Sequence, residues 1–245
     1  MKELIKDTIR KSLNALHLDL TKNLKYDRLT KEVIAQALKK NSNAIDVGCH
    51  KGEILDLILK YAPEGKHFAF EPIPDFYNAL KIKYANRCEV FSFALSEKPG
   101  ETTFNYVRNA PAYSGIMKRK YDVETPDVEE LHVKVETLDH IIPSSVQIDF
   151  IKIDVEGGEF GVLKGSKELL NRCKPVVVFE CGLGASDFYG TKPEALFDFL
   201  SNECSYKIHS LENWLMKKPA YSLSEFADCF NQNSEYYFVA QAGNL

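Results

Sequence analysis

Acidic side chains stand at or near the ends of four apolar segments of this 245-residue chain, and these acids are the strongest candidates for chemistry. They are Asp46, Glu71, Asp154 and Glu180. If the apolar segments are parallel strands, the acids meet at the carboxyl edge of one sheet, where open α/β sheets bind ligands. Carboxylates that meet at one edge repel one another unless a cation offsets them. We therefore expect a cationic cofactor there, with a divalent metal as the other possibility.

Two glycines four residues apart lie in the turn around the first acid, over residues 46–52. The usual dinucleotide turn, G-x-G-x-x-G, brings the backbone close to a pyrophosphate. An acid at Asp46 would repel a pyrophosphate but would suit the ammonium and sulfonium groups of S-adenosylmethionine. Glu71 ends the next apolar segment, where a carboxylate binds ribose hydroxyls. These residues predict S-adenosylmethionine as the cofactor and leave an NAD-dependent oxidoreductase as an alternative.

A second cluster of acids follows the apolar segment that starts at Ile148. Asp154, Glu156 and Glu159 lie near the start of a predicted helix, where acids also cap the backbone and favour the positive end of the helix dipole. Transfer of a methyl group from S-adenosylmethionine is helped by a group that removes a proton from the acceptor. We expect Asp154 to lie nearest the methyl group, with Glu156, Glu159 or Glu180 assisting. The predicted catalytic residues are Asp154, Glu156 and Glu180.

Apolar segments alternate with helix-like segments over most of the chain, which predicts an α/β fold with a mostly parallel sheet flanked by helices. Strands are predicted at residues 44–47, 66–71, 88–94, 175–180, 206–210 and 235–240, with another ending at the second acid cluster. Helices are predicted at residues 53–61, 74–84, 160–171, 193–202 and 222–230. Residues 101–107 and 131–139 have strand patterns. The polar residues 108–130 between them form either a substrate loop or a surface insertion.

Two amphipathic helices are predicted before residue 40, the second of them capped by Thr30. Their lysines and arginines form either a basic face for an anionic partner or the solvated outer face of helices that pack on the main domain. The predicted organisation is a helical extension, residues 1–40, followed by one domain, residues 41–245.

The formal net charge of −4 argues against a large nucleic-acid-binding surface, so we expect no nucleic-acid partner. No apolar run is long enough to span a bilayer, and the first residues lack the apolar core of a signal peptide. The six cysteines form no C-x-x-C pair, which indicates reduced thiols and no zinc site. We expect a cytoplasmic protein with no transmembrane segment, and we predict no metal-ligand residues.

Five motifs, in order over residues 43–180, resemble those of the FkbM family of S-adenosylmethionine-dependent methyltransferases. They are Asp46-Val47-Gly48-x-x-x-Gly52, Phe70-Glu71-Pro72-x-Pro74, Ala94-Leu95-Ser96, Thr137-Leu138-Asp139 and Lys152-Ile153-Asp154-Val155-Glu156-Gly157-x-Glu159. The resemblance implies a Rossmann-like class I methyltransferase sheet of seven strands, the last of them antiparallel. It also implies methyl transfer mostly to oxygen, on a small-molecule or glycan acceptor such as a sugar or polyketide hydroxyl.

Geometry and the resemblance together predict which residues hold the cofactor. They are Asp46, Gly48, His50, Gly52, Glu71, Pro72, Ala94, Leu95 and Asp154. The two glycines would approach the methionine end, and Pro72, Ala94 and Leu95 would flank the adenine. The turn of this family commonly reads Gly-Ala-Asn, whereas this chain has Gly48-Cys49-His50. If the Asn side chain contacts the cofactor in the family, His50 either makes that contact instead or the contact is lost. A non-catalytic S-adenosylmethionine-binding assembly protein is a further alternative, because a fold alone does not establish turnover.

Overall fold

The computed structural model describes residues 21–119, 121 and 123–243, so the first predicted helix lies outside the described residues. The strands are β1 Ala44–Val47, β2 His67–Phe70, β3 Glu89–Phe91, β4 Ala94–Leu95, β5 Gly100–Val107, β6 Val128–Glu136, β7 Phe150–Ile153, β8 Val176–Glu180, β9 Tyr206–Ser210 and β10 Tyr237–Ala242. Seven of them form one sheet in the order β3-β2-β1-β7-β8-β10-β9. Neighbours from β3 to β8 are parallel, whereas β10 is antiparallel to β8 and β9. The predicted fold, with its antiparallel last strand, is confirmed.

This sheet is buried on both faces. Along β7, Ile151 and Ile153 pack into one apolar cluster while Phe150 packs into another, as the alternation of side chains along a strand requires. The helices are α1 Lys22–Ala37, α2 Glu53–Tyr61, α3 Pro74–Lys83, α4 Leu138–Ile141, α5 Glu159–Lys164, α6 Lys167–Cys173, α7 Pro193–Asp198, α8 Leu211–Leu215 and α9 Leu223–Gln232. Within the described ranges, none of these helices is long and apolar enough to cross a membrane.

The predicted strand at residues 88–94 is wrong as a single element. It divides into β3, which pairs with β2, and β4, which pairs with β6 in a second sheet of order β4-β6-β5. The strands predicted at residues 101–107 and 131–139 belong to this second sheet as the antiparallel pair β5 and β6. The sequence pattern did not predict this division. Both β3 and β4 contain apolar residues, and an apolar pattern does not show with which strand each of them pairs.

Two predicted helices are also interrupted. The helix predicted at residues 160–171 divides into α5 and α6, because the Asp139 carboxylate accepts hydrogen bonds from the backbone N–H groups of Glu168 and Leu169 and so caps a new helix start. Asp139 therefore holds a helix in place. The helix predicted at residues 193–202 changes after α7 into a π-helical turn at Phe199–Glu203.

Helix α1 packs against the main sheet. It begins after Thr21, whose hydroxyl accepts a hydrogen bond from the Leu24 backbone, so the predicted cap at Thr30 is wrong: Thr30 lies buried inside the helix. Val33 and Ile34 are fully buried in an apolar cluster that also contains strand residues. The predicted boundary at residue 40 therefore does not separate this helix from the core of the domain.

Truncation of Ile34 tests this shared core. Ile34→Ala should lower the free energy of unfolding by about 2–5 kcal/mol, because it leaves a cavity between α1 and the sheet. Denaturant titration should show one transition, shifted as a whole. Gln36→Ala, at an exposed position of the same helix, is the matched control and should leave the transition unchanged. An unshifted main transition in Ile34→Ala would show that α1 is not part of the domain core.

Candidate active site

A cavity of about 1160 Å³ lies at the carboxyl ends of β1, β2, β7 and β8. All four acids predicted to converge line it: Asp46, Glu71, Asp154 and Glu180. Of the other predicted cofactor residues, Gly48, His50, Pro72, Ala94 and Leu95 also line it. Small-molecule sites usually measure about 300–1,000 Å³, so this cavity has room for a cofactor and a second molecule.

The Glu71 carboxylate is bound by backbone N–H groups of the glycine turn and of the residues that follow Glu71. The Glu71 carboxylate accepts one from His50 N at 2.8 Å and one from Ile73 N at 2.9 Å. Each carboxylate oxygen keeps a free lone pair, and the side chain lines the cavity. Burial raises the pKa of Glu71 to about 7, and these two hydrogen bonds oppose the rise. Glu71 therefore fixes the turn and can still accept hydrogen bonds from hydroxyls in the cavity.

The two glycines of the turn differ in role. Gly48 has φ of +76°, and a Cβ there would lie 1.9 Å from the Asp154 carbonyl oxygen, so only glycine allows the ends of β1 and β7 to approach. Gly52 has φ of +81°, and a Cβ there would lie 2.3 Å from the Tyr84 hydroxyl. Gly52 does not line the cavity. A side chain at Gly52 would collide with Tyr84, at the end of α3, so the structure explains this glycine by packing, and its predicted cofactor contact stays a prediction.

Asp46 lies beneath the turn and is only 1% exposed. Burial raises its pKa to about 7, while the positive charge of Lys152 and a hydrogen bond from the Leu55 backbone oppose the rise. The other carboxylate oxygen, Oδ2, has no hydrogen-bond partner among the described residues. An unpaired buried carboxylate oxygen beside a cavity suits a cationic group, as the sequence predicts for S-adenosylmethionine.

Lys152 supplies the cation that the acids require, and the sequence reasoning missed it. Its ammonium group is 3% exposed and donates a 2.8 Å hydrogen bond to Asp154 Oδ2. Lys152, in β7, pairs in register with Asp46 of the neighbouring strand β1. A lysine within the apolar run of β7 was the available signal, because lysine is almost never buried unless it is paired.

The Asp154 carboxylate is held in an ionised state. Burial opposes its ionisation, but the Lys152 ammonium and hydrogen bonds from Lys152 and Tyr237 hold its pKa below the usual value. Tyr237 Oη donates its bond, at 2.8 Å, to the same oxygen that Lys152 contacts. An acid with a lowered pKa is a weak base, so Asp154 is better suited to orient a group than to take its proton.

Glu156 and Glu159 have different partners. Glu156 adopts φ of +58° in the turn after β7 and pairs with Arg119 from the segment between β5 and β6. Burial and the Asp154 charge raise the pKa of Glu156 to about 8. Glu159 is 1% exposed, and its carboxylate accepts hydrogen bonds from Val155 N and Gly157 N. Glu159 therefore holds the turn after β7, as a helix-capping acid would.

Glu180 differs from the other acids because no hydrogen bond or ion pair joins its carboxylate to another described residue. Burial raises its pKa well above the usual value, and the charges of Asp154 and Glu156 add to the rise. The side chain lines the cavity. A carboxylate with a raised pKa and no partner can accept a proton, so Glu180 is the strongest candidate for a general base.

His50 contributes its backbone, through the bond to Glu71, and a half-buried imidazole. The ring packs edge-on against Phe76 with 4.5 Å between the centroids. Its Nε2 is buried without a hydrogen-bond partner, and burial lowers the pKa of the ring. The imidazole is therefore neutral near pH 7. No group of three or more His, Cys, Asp or Glu side chains in residues 21–119, 121 and 123–243 is arranged to hold a metal ion.

Removal of the Lys152 charge tests its role as the internal cation. In Lys152→Met the pKa of Asp46 should rise further, and the pKa of Asp154, now held below its usual value, should rise as well, so both carboxyls take up protons more readily in the folded state. An acid whose folded pKa is raised destabilises the fold as pH rises through that pKa. Denaturant titration should therefore show a loss of about 3 kcal/mol at pH 8 and a smaller loss at pH 5.5.

The control for this prediction is Lys164→Met. Lys164 forms an exposed ion pair with Glu97, and such pairs contribute about 1 kcal/mol or less. Its removal should shift the unfolding transition little at either pH. An equal loss at pH 5.5 and pH 8 for Lys152→Met would contradict the role of Lys152 as a countercharge.

Comparison with known proteins agrees with the geometry. The family model described as the Methyltransferase FkbM domain matches residues 46–208. The methyltransferase sdnD of Sordaria araneosa is 26% identical over an alignment of 162 residues, and the match covers 54% of this chain and 62% of that protein. The crystal structure of methyltransferase FkbM from Methylobacillus flagellatus superimposes with a TM-score of 0.51 at 14% identity, covering 89% of this chain and 52% of that one. The chain thus spans about three fifths of the first relative and half of the second.

An rRNA methylase of Streptococcus thermophilus is more distant, with a TM-score of 0.46 at 10% identity, covering 89% of this chain and 96% of that one. The expected absence of a nucleic-acid partner stays a prediction. The family match spans the turn at Asp46, the Glu71 strand end, Asp154 and Glu180, the same residues that line the cavity. The chain belongs to the FkbM methyltransferase domain family.

Proposed function

We propose that this protein transfers a methyl group from S-adenosylmethionine to a hydroxyl of a sugar, glycan or natural-product intermediate. The observation that carries the proposal is the arrangement of acids in one cavity. Asp46 and Glu71 lie on one side, beside the glycine turn, and the ionised Asp154 and the unpaired Glu180 lie at the ends of β7 and β8. The first pair suits a cationic nucleoside cofactor, and the second suits an acceptor that must lose a proton.

Residues on the β1–β2 side would hold the cofactor. Glu71 would accept hydrogen bonds from the ribose hydroxyls, and Asp46 would face the cationic methionine end. Pro72, Ala94 and Leu95 line the cavity next to Glu71 and would flank the adenine. When bound, S-adenosylmethionine would supply the activated methyl group on its sulfonium.

Residues on the β7–β8 side would prepare the acceptor. A hydroxyl has a pKa far above neutral, so its attack is helped by a positioned base. Asp154, fixed by Lys152 and Tyr237, would lie nearest the methyl group, beside the sulfonium, and would orient the hydroxyl by accepting a hydrogen bond from it. Glu180 would take the proton, because its raised pKa makes it the better base. Glu156, paired with Arg119, would stay a supporting residue rather than the proton acceptor.

The segment between β5 and β6 supports a substrate-loop role for part of residues 108–130. Tyr113, Ile116 and Arg119 line the cavity. The segment is fixed to the rest of the chain by a hydrogen bond from Met117 N to the Tyr189 hydroxyl at 3.1 Å and by the Arg119–Glu156 pair. A loop fixed in this way would help to exclude water from the reacting groups.

Glu180→Gln tests the assignment of the base. The amide cannot take a proton, so methyl transfer should fall by about 100-fold or more, while S-adenosylhomocysteine should bind as in the wild type. The measurement is S-adenosylhomocysteine release with a panel of glycoside and natural-product alcohols, after calorimetric titration of both adenosyl ligands. The wild-type rate should rise with pH through the raised pKa of Glu180, and the variant should lose that dependence.

The control is Glu194→Gln, at an exposed position of α7, which should keep wild-type activity. Full turnover by Glu180→Gln would remove Glu180 from the role of base. Binding of S-adenosylmethionine without turnover on any acceptor would favour the non-catalytic alternative. Binding of NAD in place of adenosyl ligands would favour the oxidoreductase alternative, which the family match does not support.

A further inference from the structure

Two hydrogen-bond donors converge on one oxygen of the Asp154 carboxylate. Lys152 Nζ and Tyr237 Oη both lie 2.8 Å from Oδ2. Neither donates to Oδ1, which no hydrogen bond between described side chains engages. Asp154 lines the cavity, and its side chain is 32% exposed. The carboxylate is thus fixed through one oxygen while the other stays available to a ligand.

Tyr237 is itself fixed from two sides. The Lys152 ammonium lies over its ring, 5.1 Å from the centroid. The ring of Tyr26, in α1, packs beside the Tyr237 ring, with 5.2 Å between the two centroids. Tyr26 also donates a hydrogen bond to Glu235 and accepts one from Tyr236 N at 3.3 Å. Helix α1 thereby holds the start of β10, the strand that delivers the Tyr237 hydroxyl to Asp154.

Both tyrosines lie outside the segment that matches the family, residues 46–208. Asp154 and Lys152 lie inside it. The Tyr237 hydroxyl that donates to Asp154 therefore comes from a part of the chain that the family model does not cover. A hydrogen bond from a tyrosine to an ionised carboxylate is stronger than one between neutral groups, so this contact has the strength to set the orientation of Asp154.

We infer that Tyr237, together with Lys152, is a positioning residue that fixes the Asp154 carboxylate with Oδ1 available to the cationic end of the cofactor and to the acceptor hydroxyl. The inference rests on the proposed function. It gives the last strand and helix α1 a part in the reaction, since they place a donor that the matched segment lacks. Tyr237 acts through Asp154 and is not itself a catalytic residue.

The test compares a charged ligand with a neutral one. S-adenosylmethionine carries a sulfonium, and S-adenosylhomocysteine carries a neutral thioether in the same framework. A fixed carboxylate favours the charged ligand, so the ratio of the two affinities reports on Asp154 without any acceptor. Calorimetric titration should give Tyr237→Phe a ratio lower than the wild type by about three- to tenfold, the range of one hydrogen bond. Its affinity for S-adenosylhomocysteine should stay within about twofold of the wild type.

Two further variants make the test decisive. Asp154→Asn should lower the ratio at least as much as Tyr237→Phe. Tyr206→Phe removes another buried hydroxyl, bonded to the Pro175 carbonyl at 3.0 Å and away from the cavity, and should leave the ratio unchanged.

An unchanged ratio in Tyr237→Phe, when Asp154→Asn lowers it, would overturn the inference and leave the proposed function intact. An equal loss of affinity for both ligands in Tyr237→Phe would also overturn it, because that result means a purely structural role. Failure of the wild type to bind either ligand would overturn the proposed function, and the inference with it.

Discussion

The ion pair between Lys152 and Asp154 allows several carboxylates to stand together at one edge of the sheet. Asp46 and Asp154 lie near one buried ammonium group, whose charge lowers the pKa of Asp154 and opposes the rise that burial causes in the pKa of Asp46. A buried pair of this kind gains little net stability, because desolvation offsets the attraction. The pair instead fixes the position of the Asp154 carboxylate. It keeps one acid ionised, and it leaves Glu180, the acid without such a partner, with a raised pKa.

Neighbouring carboxylates can therefore have different chemical roles. Asp154 has donors on one oxygen, Glu156 has a guanidinium partner, and Glu159 binds backbone N–H groups. Glu180 has no such partner among the residues that the structure describes. Environments that push the pKa values of neighbouring acids apart are typical of sites that need both an orienting group and a base. The roles proposed for Asp154 and Glu180 follow from this difference in partners.

The sequence was sufficient to predict most of the main strands along the chain, the mostly parallel sheet and the convergence of four acids, because each depends on local apolar patterns and on the geometry of parallel sheets. It was insufficient where a distant partner decides the outcome. The turn pattern assigned Gly52 to the cofactor but does not reveal Tyr84, which occupies the space beside it. Lys152 was overlooked because its importance depends on Asp46, from another strand. The division of residues 160–171 depends on Asp139.

Regions outside the matched family segment also shape the site. Helix α1 contributes Tyr26 and Thr30 to the lining of the cavity, and the last strand contributes Tyr237. These elements share an apolar cluster with the sheet, so they are part of the same core as the strands that carry the motifs.

The central claim is that the β1–β2 edge of the sheet binds an adenosyl cofactor through Glu71. Calorimetric titration of S-adenosylhomocysteine into the wild type, Glu71→Gln and the exposed control Glu89→Gln tests it most directly. Loss of a charge-assisted contact should weaken binding by about ten- to a hundredfold in Glu71→Gln, with no change in Glu89→Gln. Absence of binding to the wild type, or equal affinity in all three proteins, would contradict the claim.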